Sequence, residues 1–324
     1  MAVRKGVIFT FISIALLFVT VMFLYNTSRY RLREEPFLAE TKIISMDRFI
    51  SDTESDLERA LYIASFRALI GMNDYIDDNH VFIDNIDRAF AELAVSGTYN
   101  GTSLGVVNDS NLLLWAGKMN LEAANINLHF NVSPEEVHVR MVSPWNVRAD
   151  LNSTLTIRDL GGTAAWKRAV QTTTVVTIIG FLDPAYTKGS NSLYYNDIEA
   201  TPYVVFSNTD VTNLRDHWHN QYYTQNEAAP DYLQRLAGDL DGASPYGIES
   251  LVDSGLLDPL GLYLNKSVVD FIYWDNMTDP IDCPVDGMGQ SFRLDNGNAT
   301  RQGAEIGRFA LYNVTGLTPP SGCT

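Results

Sequence analysis

An apolar segment at the start of the chain constrains the fold more than any other feature. Residues 7–25, VIFTFISIALLFVTVMFLY, are 19 consecutive residues without a charge. As an α-helix they would extend about 28 Å, close to the roughly 30 Å hydrocarbon core of a bilayer. A cleaved secretory signal would have a shorter apolar run and a small-x-small cleavage site, whereas Asn26, Arg29 and Arg31 follow here. We therefore expect a single-pass membrane anchor, with a cleaved signal as the alternative.

Glycosylation sequons, rather than the flanking charges, predict which side of the membrane the C-terminal domain lies on. Basic residues lie on both sides of the anchor, Arg4 and Lys5 before and Arg29, Arg31 and Arg33 after. Nine Asn-x-Ser/Thr acceptors indicate a glycosylated, extracytoplasmic C-terminal domain at the cell membrane. An Asn- and Thr-rich β protein that matches by composition is the alternative. The acceptors are Asn26, Asn100, Asn108, Asn131, Asn152, Asn265, Asn276, Asn298 and Asn313.

The residues just before the apolar helix resemble a processing site. Arg4-Lys5-Gly6 is a basic stretch that ends in Gly and leads directly into the apolar run. This arrangement is similar to that of type IV pilins, whose peptidase cuts after the small residue and leaves the helix on the mature protein. The resemblance implies cleavage after Gly6. Many pilins have Glu five residues past the cut, to pair with a neighbouring subunit's terminal amine, and Phe11 stands at that position here.

Composition and charge limit the class of protein and its partners. With 46% apolar and 11% aromatic residues, the chain has the composition of a folded protein rather than a disordered one. Its net charge of −16 argues against nucleic acid as a partner, because such binders need basic residues to replace the counterions on phosphates.

The chain contains two cysteines, Cys283 and Cys323. In an oxidising compartment a disulfide between them would close a loop of about 41 residues, worth roughly 3–4 kcal/mol in the chain-entropy account. Two free thiols are the alternative.

Hydrophobic periodicity predicts a helical stem after the anchor. From Met46 to Ala68 apolar residues recur at spacings typical of an amphipathic helix. Gly71 indicates a break, and a second helix is expected over residues 81–94. The predicted domains are a cytoplasmic tip and transmembrane anchor (1–33), a helical stem (34–97) and an extracytoplasmic head (98–324) with a sub-boundary near 190–205.

Beyond the stem, alternating and β-branched residues predict a mainly antiparallel β-sheet with short helices. Gly161-Gly162 is expected to form a hairpin turn. The fold class is therefore α+β. The predicted strands are residues 121–132, 136–142, 147–158, 164–179, 203–206, 268–274 and 308–314, and the predicted helices are 212–223, 232–237 and 244–252.

Several short runs resemble segments that occur together in membrane-anchored surface proteins of archaea. They are Arg4-Lys5-Gly6 with the anchor, residues 179–186 (IGFLDPAY), 232–236 (YLQRL) and 246–251 (YGIESL). The resemblance implies a surface setting and carries no established activity. We interpret residues 180–186 as the end of a strand, where Pro184 stops the ladder and Tyr186 folds over the sheet edge. Residues 246–251 are interpreted as a packed helix start.

An acidic loop and a pair of histidines are the candidate metal-binding residues in the sequence. A loop with Asp275, Asp279, Asp282 and Asp286 is a candidate calcium site, because carboxylate oxygens suit that ion; a solvated acidic loop is the alternative, and no other cofactor is expected. His217 and His219 fall in a predicted helix, where residues two apart diverge, so this pair is not expected to bind metal. The sequence contains no Gly-x-Ser-x-Gly, P-loop or His-Glu-x-x-His motif, and we do not expect an enzyme.

Together these features predict a pilin-like surface protein that acts in assembly or adhesion. Its expected partners are the membrane and itself or other pilin-like subunits. The alternative is an anchored receptor that binds a small ligand, a glycan or a partner cell through a concave, aromatic-lined pocket in the head. A third class, an anchored hydrolase, would need convergent carboxylates or a metal in that pocket.

Overall fold

The structure of the 324-residue chain is a computed structural model. It describes residues 2–162, 164–207, 210–257, 266–275, 282–289, 291–295, 308–314 and 317, with the backbone alone for residues 2–8, 27–39, 282 and 295. Contacts divide the chain into two compact units. The smaller unit comprises Met1–Ser55, Met119–Asn131 and Leu155–Arg168, and the larger unit comprises Asp56–Lys118, Val132–Thr154 and Ala169–Thr324.

One helix, α1 (Ala2–Asn79), contains both the apolar segment and the first predicted stem helix. Its 78 residues correspond to a length of about 117 Å. The predicted break at Gly71 is wrong. A Cβ at Gly71 would lie 3.5 Å from Val106 Cγ1 and 3.6 Å from Leu104 Cδ1, so the helix backbone packs directly against these side chains. We infer that this packing offsets the roughly 1 kcal/mol that Gly costs inside a helix.

Two parts of α1 differ in burial. All side chains of Phe9–Asn26 are exposed, and this 18-residue stretch is long and apolar enough to cross a membrane. From Met46 onward one face of the helix is buried, which confirms the predicted amphipathic pattern. The buried apolar side chains on this face include Met46, Ile50, Leu57, Leu61, Ala64 and Ala68.

The other described elements are short helices and strands. The helices are α2 (Ile86–Ser96), α3 (Leu112–Asn125), α4 (Pro184–Gly189), α5 (Thr212–His219), α6 (Tyr232–Ala237), α7 (Ser254–Leu257), α8 (Asp270–Trp274) and α9 (Arg308–Leu311), with a 3-10 turn at Gly105–Val107. The strands are β1 (Thr98–Tyr99), β2 (Thr102–Ser103), β3 (Leu128–Ser143), β4 (Asn146–Asp159), β5 (Ala165–Thr177), β6 (Tyr223–Gln225), β7 (Ile248–Ser250), β8 (Asp282–Pro284) and β9 (Arg293–Asp295).

The longest sheet has the strand order β3-β4-β5. A turn at Pro144-Trp145 joins the first two strands, and the predicted turn at Gly161-Gly162 joins the last two. Gly162 has φ 75°, which favours glycine at this position. Connections this short can join only antiparallel neighbours. The pairs β1-β2, β6-β7 and β8-β9 are small antiparallel sheets.

Strand β3 covers the end of the strand predicted over 121–132 and all of the strand predicted over 136–142. Its buried side chains change phase between Val132 and Val137, from even to odd positions. One extra residue in a strand produces such a shift, as in a β-bulge. Pro134 lies in this part of β3 and has no backbone N–H to donate, and bulges are among the places where strands tolerate proline. The predicted strand over 121–132 is wrong in its first part, which belongs to α3. There Asn127, with φ 61°, reverses the chain before β3 begins.

The final third of the chain is less β-rich than predicted. The strands expected over 268–274 and 308–314 are the helices α8 and α9, and residues 203–206 form no strand. Val269, with extended backbone, precedes α8, and the Oδ1 of its first residue, Asp270, accepts a hydrogen bond from Phe271 N (2.8 Å). The helix expected over 244–252 is instead a turn followed by β7, which pairs with β6. The described chain is thus α+β, with small sheets rather than one dominant sheet.

Candidate functional site

Asp183 is the centre of a buried polar cluster in the larger unit. Its Oδ1 accepts a hydrogen bond from Ala185 N (2.8 Å) and caps α4, in which Pro184 is the first residue. Its Oδ2 accepts from Arg235 Nη1 (2.6 Å) and from Tyr223 Oη (2.7 Å). The interpretation of this run as a strand end is therefore wrong, because Asp-Pro here begins a helix.

Arg235, on α6, joins Asp183 to a second carboxylate. Its Nη1 also donates to Asp270 Oδ2 (2.7 Å), and its Nη2 donates to the Ile248 carbonyl. The side chains of Arg235, Asp183 and Asp270 have no exposed surface. One guanidinium therefore connects α4, α6, α8 and β7.

The pKa values in this cluster depend on burial and on the sharing of one guanidinium by two carboxylates. Burial raises the pKa of Asp270 to about 6, against the opposing effect of Arg235. Burial alone would lower the pKa of Arg235, but Asp183 and Asp270 outweigh it and raise that pKa. The guanidinium therefore stays charged, and breaking the cluster would leave a buried charge uncompensated.

A second buried ion pair involves the neighbouring strand. Glu249, on β7, accepts hydrogen bonds from Arg308 Nε (3.0 Å) and Tyr312 Oη (2.8 Å). Asn226 Nδ2 donates to the same carboxylate (2.7 Å). The three runs 179–186, 232–236 and 246–251 thus supply Asp183, Arg235 and Glu249 to the buried polar interior of one unit.

The backbone just before Asp183 forms one wall of an open cleft of about 250 Å³. Residues 179–182 form this wall, and α1 forms the other. The rings of Phe66 and Phe181 meet edge to face with their centres 5.2 Å apart. The lining residues are Phe66, Ile70, Asn73, Asp74, Ile179, Gly180, Phe181 and Leu182.

Asn73 connects the cleft to the buried cluster. Its Nδ2 donates to the Leu182 carbonyl (3.0 Å) across the cleft and to Tyr232 Oη (2.7 Å) on α6. Asn73 is 5% exposed, and its Oδ1 is buried without a hydrogen-bond partner in the described part of the chain. The amide group of Asn73 therefore connects α1 to Leu182 on the opposite wall and to Tyr232 on α6.

Asp74, the next residue of α1, is the one acidic residue among those that line the cleft. It is half-buried, and among the described residues it has neither an ion-pair nor a hydrogen-bond partner. Burial raises the pKa of Asp74, and the charges of Asp78 and Asp77 add to the shift. The cleft thus combines apolar and aromatic walls with one carboxylate that has no partner among the described residues.

The two histidines of α5 diverge, as the helical spacing predicts. His217 is buried, with Nδ1 3.2 Å from Thr201 Oγ1, whereas His219 lies nearer the surface with Nδ1 2.8 Å from Asp253 Oδ2. Burial lowers the pKa of His217 to about 3, against the opposing effect of Asp216. His217 is therefore a neutral core residue at physiological pH.

The candidate calcium ligands are only partly described. Asp275 follows α8, Asp282 is in β8, and Asp286 is exposed in the turn after β8. Asp279 lies outside the described residues. No group of three or more His, Cys, Asp or Glu side chains suited to a metal ion occurs within the described ranges.

The other predicted site residues are distributed over the chain. Gly6 is in α1. Cys283 is buried and disulfide-bonded, and Cys323 lies outside the described residues. Of the sequon acceptors, Asn26, Asn100, Asn108, Asn131 and Asn313 are exposed and Asn152 is half-buried. Asn265, Asn276 and Asn298 lie outside the described residues.

No protein-family model, curated protein sequence or solved structure matches this chain. Sequence reasoning missed the cleft and the role of Asp74, because α1 and residues 179–182 are distant in the chain. The one available signal was the three runs 179–186, 232–236 and 246–251.

Proposed function

We propose that this protein is a single-pass membrane protein of the cell surface, with an extracytoplasmic head and a pilin-like N-terminal helix, and that it acts in assembly or adhesion. In this proposal the membrane and other copies or pilin-like subunits are its partners, and no reaction is assigned to it.

The burial pattern of α1 supports the anchoring part of this proposal. The apolar side chains of Phe9–Asn26 are all exposed, although exposing a patch of this size to water is unfavourable. The same helix continues to Asn79 and buries one face from Met46 onward. A lipid environment, or the apolar helices of other subunits, would cover the exposed part.

The assembly part rests on the run Arg4-Lys5-Gly6 in front of that helix. Cleavage after Gly6 would leave Val7 as the new amino terminus. Because Phe11 replaces the carboxylate that many pilins have, subunits would have to pack through apolar side chains alone.

N-terminal sequencing and intact mass of the protein from native membranes test this proposal. We expect the chain to remain with the membrane in alkaline carbonate and to begin at Val7. Gly6→Ala, which keeps a small residue at the cut, should still be processed, and Gly6→Leu should retain residues 1–6. Release by carbonate would contradict anchoring, and an unprocessed wild-type chain would contradict the pilin-like part.

A receptor is the second candidate function, and the cleft is the observation that favours it. The cleft is concave, carries two aromatic rings and holds the Asp74 carboxylate, which has no partner among the described residues; these are features of a small-molecule site. An anchored receptor would remain a monomer and would need no processing at Gly6.

A further inference from the structure

The cleft between α1 and residues 179–182 has features that select a ligand by charge. Its apolar walls include Phe66 and Phe181. The side chains of Asn73 and Asp74 are the polar ones among its lining residues, and the Asp74 carboxylate, a hydrogen-bond acceptor, has no partner among the described residues. A ligand that satisfies this carboxylate must bring donors, and a positive charge would also offset it.

The surroundings of Asp74 reinforce this selection. Asp77 and Asp78 follow it on the same helix and add to the negative potential that Asp74 experiences. Asp77 is held in place by a hydrogen bond from Tyr195 Oη (2.9 Å). Aromatic faces such as those of Phe66 and Phe181 also attract cations. An anionic ligand would be repelled by all three carboxylates.

The size of the cleft limits the ligand to a small molecule. Its volume of about 250 Å³ exceeds the roughly 150 Å³ of an engineered cavity that takes benzene. It is slightly below the roughly 300 Å³ at which drug-sized pockets begin. One ring with a short side chain would therefore fill it.

We propose that this cleft binds a small organic ammonium ion with an aromatic or aliphatic body, whose ammonium group pairs with Asp74. The body of the ligand packs against Phe66, Phe181 and Ile70. This inference rests on the receptor candidate and names its ligand class. It is independent of how the N-terminus is processed.

Calorimetry on the full-length protein in detergent tests the proposal with phenethylammonium as the probe. We expect saturable binding at one site. The neutral analogue 2-phenylethanol, which keeps the ring and chain but lacks the charge, should bind at least tenfold more weakly. Equal binding of the two probes, or no saturable binding of the cation, would overturn the assignment.

Two matched variants locate the binding. Asp74→Asn keeps the shape of the side chain and removes its charge, and it should weaken phenethylammonium binding at least tenfold. Asp52→Asn makes the same change at an exposed position of α1 and should leave binding unaltered. Equal affinities of the two variants would overturn the role of Asp74. Because the head is tested in detergent, this result is separate from the outcome of the processing and carbonate experiments.

Discussion

Arg235 is the residue on which two buried carboxylates depend. Replacing it with Met keeps much of the side-chain volume but leaves Asp183 and Asp270 close together without a cation. Because removing one partner of a buried ion pair leaves an uncompensated charge, we expect Arg235→Met to lower the free energy of unfolding by about 3–5 kcal/mol. Urea unfolding in detergent, followed by tryptophan fluorescence, measures this change.

Arg88→Met provides the comparison on the surface. Arg88 pairs with Glu92 at 2.8 Å, but its side chain is 61% exposed. Such exposed pairs contribute at most about 1 kcal/mol. Equal losses in the two variants would contradict a central role for the buried cluster.

His217 links stability to pH through its burial. Its pKa is about 3 in the folded protein, below the ordinary value of 6.5. Between these values the unfolded chain binds a proton that the folded chain does not, so the stability contributed by this group is lost as the pH falls. The loss approaches about 1.4 kcal/mol per pH unit and amounts to about 2.5 kcal/mol between pH 7 and 4.5.

The variant His217→Gln should lose this part of the pH dependence. We expect its free energy of unfolding to fall less steeply than that of the wild type between pH 7 and 4.5. His219→Gln, which removes a more exposed histidine of the same helix, is the control for the loss of a histidine as such. Parallel profiles of His217→Gln and the wild type would show that His217 is not buried as a neutral group.

At the scale of elements, Gly247 controls how closely the turn before β7 approaches its neighbours. A Cβ at this position would overlap the carbonyl oxygens of Ala229 and Asn226, closer than real Cβ atoms come to any atom. Because these are backbone atoms, relief requires a chain shift, and we expect Gly247→Ala to cost about 2–3 kcal/mol. The absence of a Cβ permits this close approach, in a run that forms a turn and strand rather than the predicted helix start.

Gly117→Ala serves as the control of opposite sign. Gly117 lies within α3, and in the described part of the chain no atom other than those of its chain neighbours and its own helix backbone is within 4 Å of the position a Cβ would take. Ala is the better helix former by roughly 1 kcal/mol, so this variant should be more stable than the wild type. Thermal unfolding of both variants distinguishes close packing from backbone preference, and a destabilised Gly117→Ala would contradict this explanation.

Helix α6 was predicted correctly from local signals, whereas α8 and α9 were predicted as strands. Helix α6 has a capping box in which Asp231 accepts from Gln234 N (3.0 Å) while Gln234 accepts from Asp231 N (2.9 Å), and it ends at Gly238. Helices α8 and α9 are short apolar runs without a helical period. Their conformation follows from their buried partners, so β-branched and aromatic composition led to the wrong prediction.

At the scale of the whole molecule, the sequons test whether the head is exported. If it is, mass spectrometry of peptides should find glycans on exposed acceptors such as Asn100 and Asn108. Asn152 is half-buried in β4 and donates to Glu136 Oε2 (3.2 Å), so it should stay unmodified. Asn100→Gln should lower the mass by one glycan, and Asn152→Gln should not. Glycosylation of Asn152 but not of Asn100 or Asn108 would contradict the prediction that exposure of the acceptor determines its modification.

The candidate site was less predictable than the fold class. Asp74 is one of several acidic residues on α1, and nothing in its local sequence distinguishes it. Asp74 lines a cleft because residues 179–182 form the opposite wall. Asn73 donates a hydrogen bond to Leu182, which is 109 residues away in the sequence. Contacts of this range follow only from the folded arrangement.

The sequence by itself determined the apolar membrane-length helix, the amphipathic face that follows it and the alternation of the long strands. These features depend on neighbours within a few residues, where helix and strand periods act directly. Only the tertiary structure decided the buried cluster and the cleft. Arg235 is 52 residues from Asp183 and 35 residues from Asp270 in the sequence. The contribution of each charge to stability depends on the removal of all three side chains from water. The burial of these three charged residues, which no local pattern encodes, therefore follows only from the tertiary structure.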